Sequence, residues 1–600
     1  IFVPQKTQVV TKEGSEIGVK FAFLTPSLLS AGGVMVAFAE SLVAIDFSSP
    51  GEKKVQFEVV AGYVNAAETW SSLVAAVNDG TWRAHTALST VKEEDRVGVA
   101  KLPTTLAKGN NVFFIVGSKY SVFKKLEGRL ISKFVGGQYG PRNGDKSKKI
   151  KGGGTPHRFK NRSPHKPQGW IEGNFCPMVA PGVLTEKCNV PVSPWRGGIP
   201  MVILSPWSTY STDDGKNWYF LKGIPPAKCF NPRITEWEGR RILVVSDCFG
   251  GQNLYESSDM GTRWTEAVGT LPGVWVKSKS KAILDNSFHL DALITATIER
   301  EFMLYIQRGY TSGEKVDKAL CLWVTDENRT LSCWTGCYGA WRGAFEHSNA
   351  LLCSDGALHL LQERANEKGE AISLARLTEE LKTIKSTLST WARLDAFFSK
   401  SSIPTTGLVW ILSDTSSGGD TWIDEYRCVN ATVTKGSEGQ KWLVHGAWVR
   451  AMWSMSRWGP NKQYGFVNHR FTLVATVTIH QVPKGSTPLL GAGLGDGAGK
   501  KIIGLSYSMN KKWEKVFNGT KTAPGSTWEP GREHQVALML QDGKKGSVYV
   551  DGVIVGSPEM IPTLETQGFE IPQSYVGGDE GDINSSVTMT NVFLYNRPLN

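Results

Sequence analysis

The chain has 600 residues, 40% hydrophobic and 10% aromatic, with 64 Gly, 28 Pro and 21 Trp. That length exceeds a single compact core and predicts two or three domains. No apolar run reaches the roughly 18 residues of a membrane span. The net charge of +11 does not describe a nucleic-acid-binding surface: Arg142–Lys166 holds nine Lys and Arg against one acid, Asp145, which concentrates the excess in one Gly- and Lys-rich segment.

From the start, IFVPQKTQVV shows no basic stretch followed by an apolar one, so no signal peptide is visible. Residues 1–375 then alternate short β-like runs (GGVMVAFAE, NVFFIVGS, RRILVVSD, REFMLYIQRG, ALHLLQE) with turn clusters, which predicts an all-β domain. The stretch ~119–210 lacks this alternation and is compatible with a frame-shifted translation; its basic part reads as a solvated loop or a polyanion-binding patch.

An internal repeat follows. Ser211, Asp213, Gly215 and Trp218 match Ser257, Asp259, Gly261 and Trp264 in the pattern S-x-D-x-G-x-x-W, with a worn copy at Tyr63–Trp70. Asp accepts backbone N–H bonds within the turn, Gly permits positive φ, and Trp packs back under the hairpin. Such repeats mark propeller blades and carry structure, not catalysis.

Nine cysteines show no metal-ligand spacing, since Cys333 and Cys337 form a lone CxxxC. Neither a metal nor another cofactor is expected. Cys229 and Cys248 flank adjacent strands and are the first pair to test as a disulfide. Sequons at Asn328, Asn430, Asn518 and Asn584 permit glycosylation in a secreted chain.

Leu377, Leu381, Ile384, Leu388, Trp391, Leu394 and Phe398 keep one apolar stripe at helical spacing. This predicts a helix within 376–403 that docks two domains. Strands resume from 404: Phe471–Val482 alternates, and SVYVDGVIV reads as a hairpin around Asp551-Gly552. Single-face alternation with frequent turns predicts a β-sandwich over 404–600.

The Asp-box repeats, YESSDMGTRWTEAVGTLPGVW (255–275), LTEELKTIKSTLSTWARLDA (377–396), DEYRCVNATV (424–433), FTLVATVTIHQVPKGSTPLLGA (471–492) and SSVTMTNVFLYNRPLN (585–600) together resemble the trypanosomal trans-sialidase superfamily. The phrasing is closest to its adhesive surface-glycoprotein branch. The resemblance implies a six-bladed sialidase-type propeller, an interdomain helix and a concanavalin A-like lectin sandwich. It also implies a place at the cell surface through a GPI anchor lost from this chain, or secretion.

Enzymes of the superfamily clamp a sugar carboxylate with three arginines, attack with a Tyr activated by a Glu, and use an Asp as acid/base. Carried over by resemblance, the arginine positions fall on Leu24, Ser246 and Asp317. The Glu position falls on Asn231, and that of the nucleophile on Ser348. An Asp that contacts the substrate amide falls on Leu102. Asp46 is available as the acid/base, and Glu363 remains without the arginine it would support. A non-catalytic protein is expected, binding host extracellular matrix or cell-surface glycans and no nucleic acid. An active exo-α-sialidase or trans-sialidase is the alternative, and an antigenically variable decoy without a ligand is a third reading.

The stretch Val587–Arg597 matches the family motif implicated in attachment, with Asn591, Val592, Phe593, Leu594, Tyr595, Asn596 and Arg597 inside it. The residues themselves allow either a buried strand or an exposed adhesive edge strand.

Overall fold

The computed structural model describes most of residues 1–119, 229–266, 290–426 and 470–599. From the intervening stretches it describes only strands, between 134 and 220 and between 431 and 454.

Residues 1–376 form six sheets arranged as a propeller, antiparallel except where the amino-terminal strand joins blade 1. The innermost strands are Ala22–Ala31, Val99–Lys108, Asn174–Pro177, Cys229–Trp237, Leu290–Ile298 and Asn349–Ser354. Each packs beside the next around the ring, directly or through Val183–Leu184 and Pro191–Gly198 of blade 3, and the sixth returns to the first. Ring closure leaves each blade with two covered faces, which is why residues such as Val36, Val59, Leu243, Leu304 and Leu361 are buried. The stretch 119–210, which lacks β-alternation in its sequence, contributes Phe134–Gln138 and Lys151–Gly152 to blade 2. It also contributes Asn174–Pro177, Val183–Leu184, Pro191–Gly198 and Ser205–Tyr210 to blade 3. Pairing along the backbone needs no hydrophobic alternation, so this segment gave no signal in the sequence.

The amino-terminal segment fastens the ring. Gln8–Val10 runs parallel to Arg83–Leu88 at the outer side of blade 1. Phe2 exchanges backbone hydrogen bonds of 3.1 and 2.9 Å with Ile372 of blade 6. Blade 1 also carries a short helix, α1 (Trp70–Asn78), capped by the Thr69 hydroxyl. It was missed in the sequence because Leu73 is its one buried residue. The worn repeat Tyr63–Trp70 therefore ends in a helix start, not in a Trp-closed hairpin.

The predicted interdomain helix, α2, spans Thr378–Lys400 and buries Leu381, Ile384, Leu388, Trp391 and Phe398. Beyond it, two sheets face each other. A seven-stranded sheet has the last strand, Val587–Tyr595, between Leu408–Ser413 and Phe471–Ile479. A nine-stranded sheet ends at Thr520–Thr522. Asp551 and Gly552 have φ of 50° and 78°, as the two-residue hairpin requires.

Period-two alternation divides the first sheet between two cores. Phe471, Leu473, Ala475 and Val477 face the second sheet together with Val592 and Leu594. Val474, Phe593 and Tyr595 face the other way, into a cluster that also contains α2 and the blade residues Leu304, Leu322 and Leu360. Propeller, helix and sandwich thus share one apolar core. Polar contacts tie it down: Trp391 Nε1 donates to the Tyr426 carbonyl at 2.9 Å, and the Tyr426 hydroxyl donates to Asp395 at 2.8 Å.

Candidate functional site

Apart from the amino-terminal strands added outside blade 1, each blade runs from inner to outer strand in chain order, so the inner strands share one direction and their first residues gather at one end of the ring. At that end four of them slip register against their neighbour: between Leu24 and Ser27, Lys101 and Thr104, Phe230 and Arg233, and Leu290 and Ala292. Three of these irregularities contain a proline, Pro26, Pro103 and Pro232. Proline has no N–H for the ladder, and a bulge is where a strand tolerates that.

Leu24, Leu102 and Asn231 sit at these bulges, so the structure brings three of the expected positions to one end of the ring. Ser246 joins them. It lies on the strand Arg241–Cys248 in the gap opposite Asn231-Pro232, because Phe230 pairs with Asp247 and Arg233 with Val245. Ser246 is fully buried and Leu24 half-buried. Asp46 closes the strand Val34–Asp46, paired with Lys53. Asp317 and Ser348 lie outside the described residues, each just before a strand (Lys318–Thr325 and Asn349–Ser354).

Glu363 has a main-chain partner. Its carboxylate is buried and accepts the backbone N–H of Thr25 at 3.0 Å. Thr25 has φ of 49°, a left-handed conformation that costs a β-branched residue energy. The carboxylate holds that strained peptide in place.

Further polar contacts join neighbouring blades at this end. Ser27 and Thr105 share a hydroxyl contact of 2.5 Å between blades 1 and 2. Arg233 Nε donates to the Asp291 carbonyl at 2.7 Å, linking blades 4 and 5. Asn349 Nδ2 donates to Asp291 Oδ2 at 2.9 Å, linking blades 5 and 6. Arg233, Asp291 and Asn349 are all buried and were missed in the sequence. Their signal was position: Arg233 follows Asn231-Pro232, and Asn349 follows Ser348. Glu40, also buried, is the cross-strand partner of Leu24. Glu40, Asp291 and Glu363 are buried carboxylates at this end of the ring, and Arg233 is a buried guanidinium.

The second Asp-box behaves as a turn. Asp259 accepts from the Ser257 hydroxyl at 2.9 Å, the Arg263 N–H at 2.8 Å and Arg263 Nε at 3.1 Å. The Arg263 backbone hydrogen bond leads in holding its carboxyl below the ordinary 3.8. Trp264 is half-buried beside it. Gly261 and the whole first box, with Ser211, Asp213, Gly215 and Trp218, lie outside the described residues.

The two cysteines singled out, Cys229 and Cys248, are direct register partners. Cys321, which the sequence did not single out, is disulfide-bonded and sits opposite Cys337.

Val587–Tyr595 is not an edge strand. Neighbours pair on both sides, and apolar layers cover both faces. Val592, Leu594 and Tyr595 are buried, and Phe593 meets the Phe398 ring edge-on at 6.2 Å. Burial pushes the Tyr595 hydroxyl up to about 12. Val587 is half-buried against the sandwich core, and Asn591 pairs with Ser413 and Thr476. The Asn596 N–H donates to the Gly407 carbonyl and Arg597 Nε to the Thr406 carbonyl. The expected adhesive strand is an interior strand, because both its alternating faces are apolar.

Comparison with known proteins agrees with this architecture. Residues 404–600 match the trans-sialidase C-terminal domain, and residues 25–374 match the BNR repeat-like domain. Sialidase 85-1.1 of Trypanosoma cruzi is 42% identical, with 100% of this chain and 82% of that protein covered. A second T. cruzi protein named sialidase is 30% identical over 90% of this chain and 47% of its own length. Trypanosoma rangeli sialidase, solved in complex with 2,3-difluoro-KDN, superposes with a TM-score of 0.80 at 29% identity, covering 100% of this chain and 95% of that one. With matches along both domains and a relative aligned over the whole of this chain, the chain belongs to the trypanosomal trans-sialidase superfamily.

Proposed function

We propose that this chain is a non-catalytic, surface-exposed or secreted member of its superfamily that binds host glycoconjugates or extracellular matrix. The observation that carries the reading is the end of the ring where the inner strands begin. There lie Leu24 and Ser246, which by resemblance take two of the arginine positions, and Asn231, which takes that of the activating Glu. Leu has no donor for a carboxylate, and Asn cannot take up a proton at neutral pH. Among the described residues there, Glu363 is engaged with Thr25 and Arg233 with the Asp291 carbonyl. Ligand binding then falls to other surfaces, and the enclosed stretch 587–597 is not the one we assign to it.

The rival reading, an active exo-α-sialidase or trans-sialidase, draws on relatives named sialidases. Purified protein is incubated with a fluorogenic sialoside, an active sialidase serving as the positive control. No release above background is expected; turnover that scales with protein would reject the reading. A matrix and glycan panel in solid phase tests the binding half. Saturable binding is expected there, whereas its absence throughout favours the decoy.

A further inference from the structure

We propose that Asn518 carries an N-linked glycan that shields the open edge of the nine-stranded sheet, a proposal that rests on the surface or secreted placement above. Asn518-Gly519-Thr520 is a sequon, and it occupies the tip of a hairpin. Trp513–Phe517 and Thr520–Thr522 are antiparallel, with Phe517 opposite Thr520 and Val516 opposite Lys521. Asn518 and Gly519 have φ of 47° and 83°, the two positive values of a type I′ turn, where Asn-Gly is favoured. Asn518, Gly519 and Thr520 are all exposed, and a Cβ built on Gly519 would meet nothing within 4 Å. The tip therefore projects into open space, as a bulky substituent needs. The sequon asparagines Asn161, Asn328, Asn430 and Asn584 lie outside the described residues.

The position also gives the glycan something to do. Thr520–Thr522 is exposed along its whole length and is the terminal strand of its sheet, with no outer neighbour among the described strands. An unpaired strand is a template for another chain. A hydrated oligosaccharide at the adjoining tip blocks that approach. In the transfer, Asn518 Nδ2 loses a proton and bonds to the anomeric carbon of a lipid-diphosphate-linked oligosaccharide. The anomeric C–O bond breaks, and the lipid diphosphate leaves.

The full chain is secreted from a eukaryotic host and digested with trypsin, which releases Val516–Lys521. Asn-Gly deamidates spontaneously, so removal by peptide N-glycosidase is run in heavy-oxygen water beside an identical incubation without the enzyme. Asp formed earlier carries no label, and label at 518 above the enzyme-free control reports enzymatic release. Wild type is expected to yield this peptide only after the enzyme, and labelled. Thr520→Ala should yield it unmodified, and Thr520→Ser, which keeps the sequon, should behave as wild type. Unmodified peptide as the main form of the secreted wild type would overturn the site. For the shielding role, Thr520→Ala and enzyme-treated wild type should scatter more light than untreated wild type at equal concentration. Equal scattering would overturn that role. Both readouts are independent of ligand binding, so failure here leaves the function proposal standing, and the reverse.

Discussion

Thr25 and Glu363 show how a buried carboxylate can fix a strained bulge. The Thr-Pro bulge adjoins Leu24, and the Glu363 carboxylate holds its main-chain N–H. Replacing Glu363 by Ala would leave that N–H buried and unsatisfied, at a cost of about 1–3 kcal/mol. Glu363→Gln keeps an acceptor and should recover most of the loss. Urea midpoints of the three proteins check this, and an Ala variant as stable as wild type would refute it. The sequence made Leu24 legible through its Thr-Pro neighbours, and Asn231 through its own proline. It left the main-chain partner of Glu363 hidden, since a backbone N–H has no residue type to announce it. Asp291 was hidden for a similar reason: its backbone carbonyl and its carboxylate join residues from two other blades.

Helix α2 was legible because seven apolar residues fall on one face over many turns, whereas α1, with one buried residue, offered no stripe to read. Trp391 is the anchor of α2, fully buried and hydrogen-bonded to the Tyr426 carbonyl. Trp391→Ala should cost about 3–5 kcal/mol through lost burial and a cavity, measured by chemical denaturation with near-UV circular dichroism as a second probe. A loss below 1 kcal/mol would mean that the helix does not weld the domains. The strand Val587–Tyr595 was legible as a strand from its alternation. What each face meets was not, because Val592 and Leu594 are as apolar as Phe593 and Tyr595. Side-chain type alone could not say that one pair belongs to the sandwich and the other to the helix and propeller.

Domains joined by a linker usually unfold separately, since their interfaces are small and polar. Here blade residues, α2 and the first sandwich sheet contribute to one apolar cluster, so neither half keeps its packing when the other melts. Calorimetry should therefore give one transition, with calorimetric and van't Hoff enthalpies in agreement. Two resolved peaks would show the shared core to be energetically minor. At this scale the repeat, the helix and the alternating carboxyl-terminal half made the architecture legible. Ring closure was not, because it depends on contacts such as Phe2 with Ile372, which no local pattern encodes.

The enclosure of Val587–Tyr595 has a practical side for immunological reagents. An antibody raised against a linear peptide of this stretch finds its epitope only after the native molecule has come apart. Signals from such an antibody in a blot or a cell-blocking assay would count the denatured fraction of a preparation.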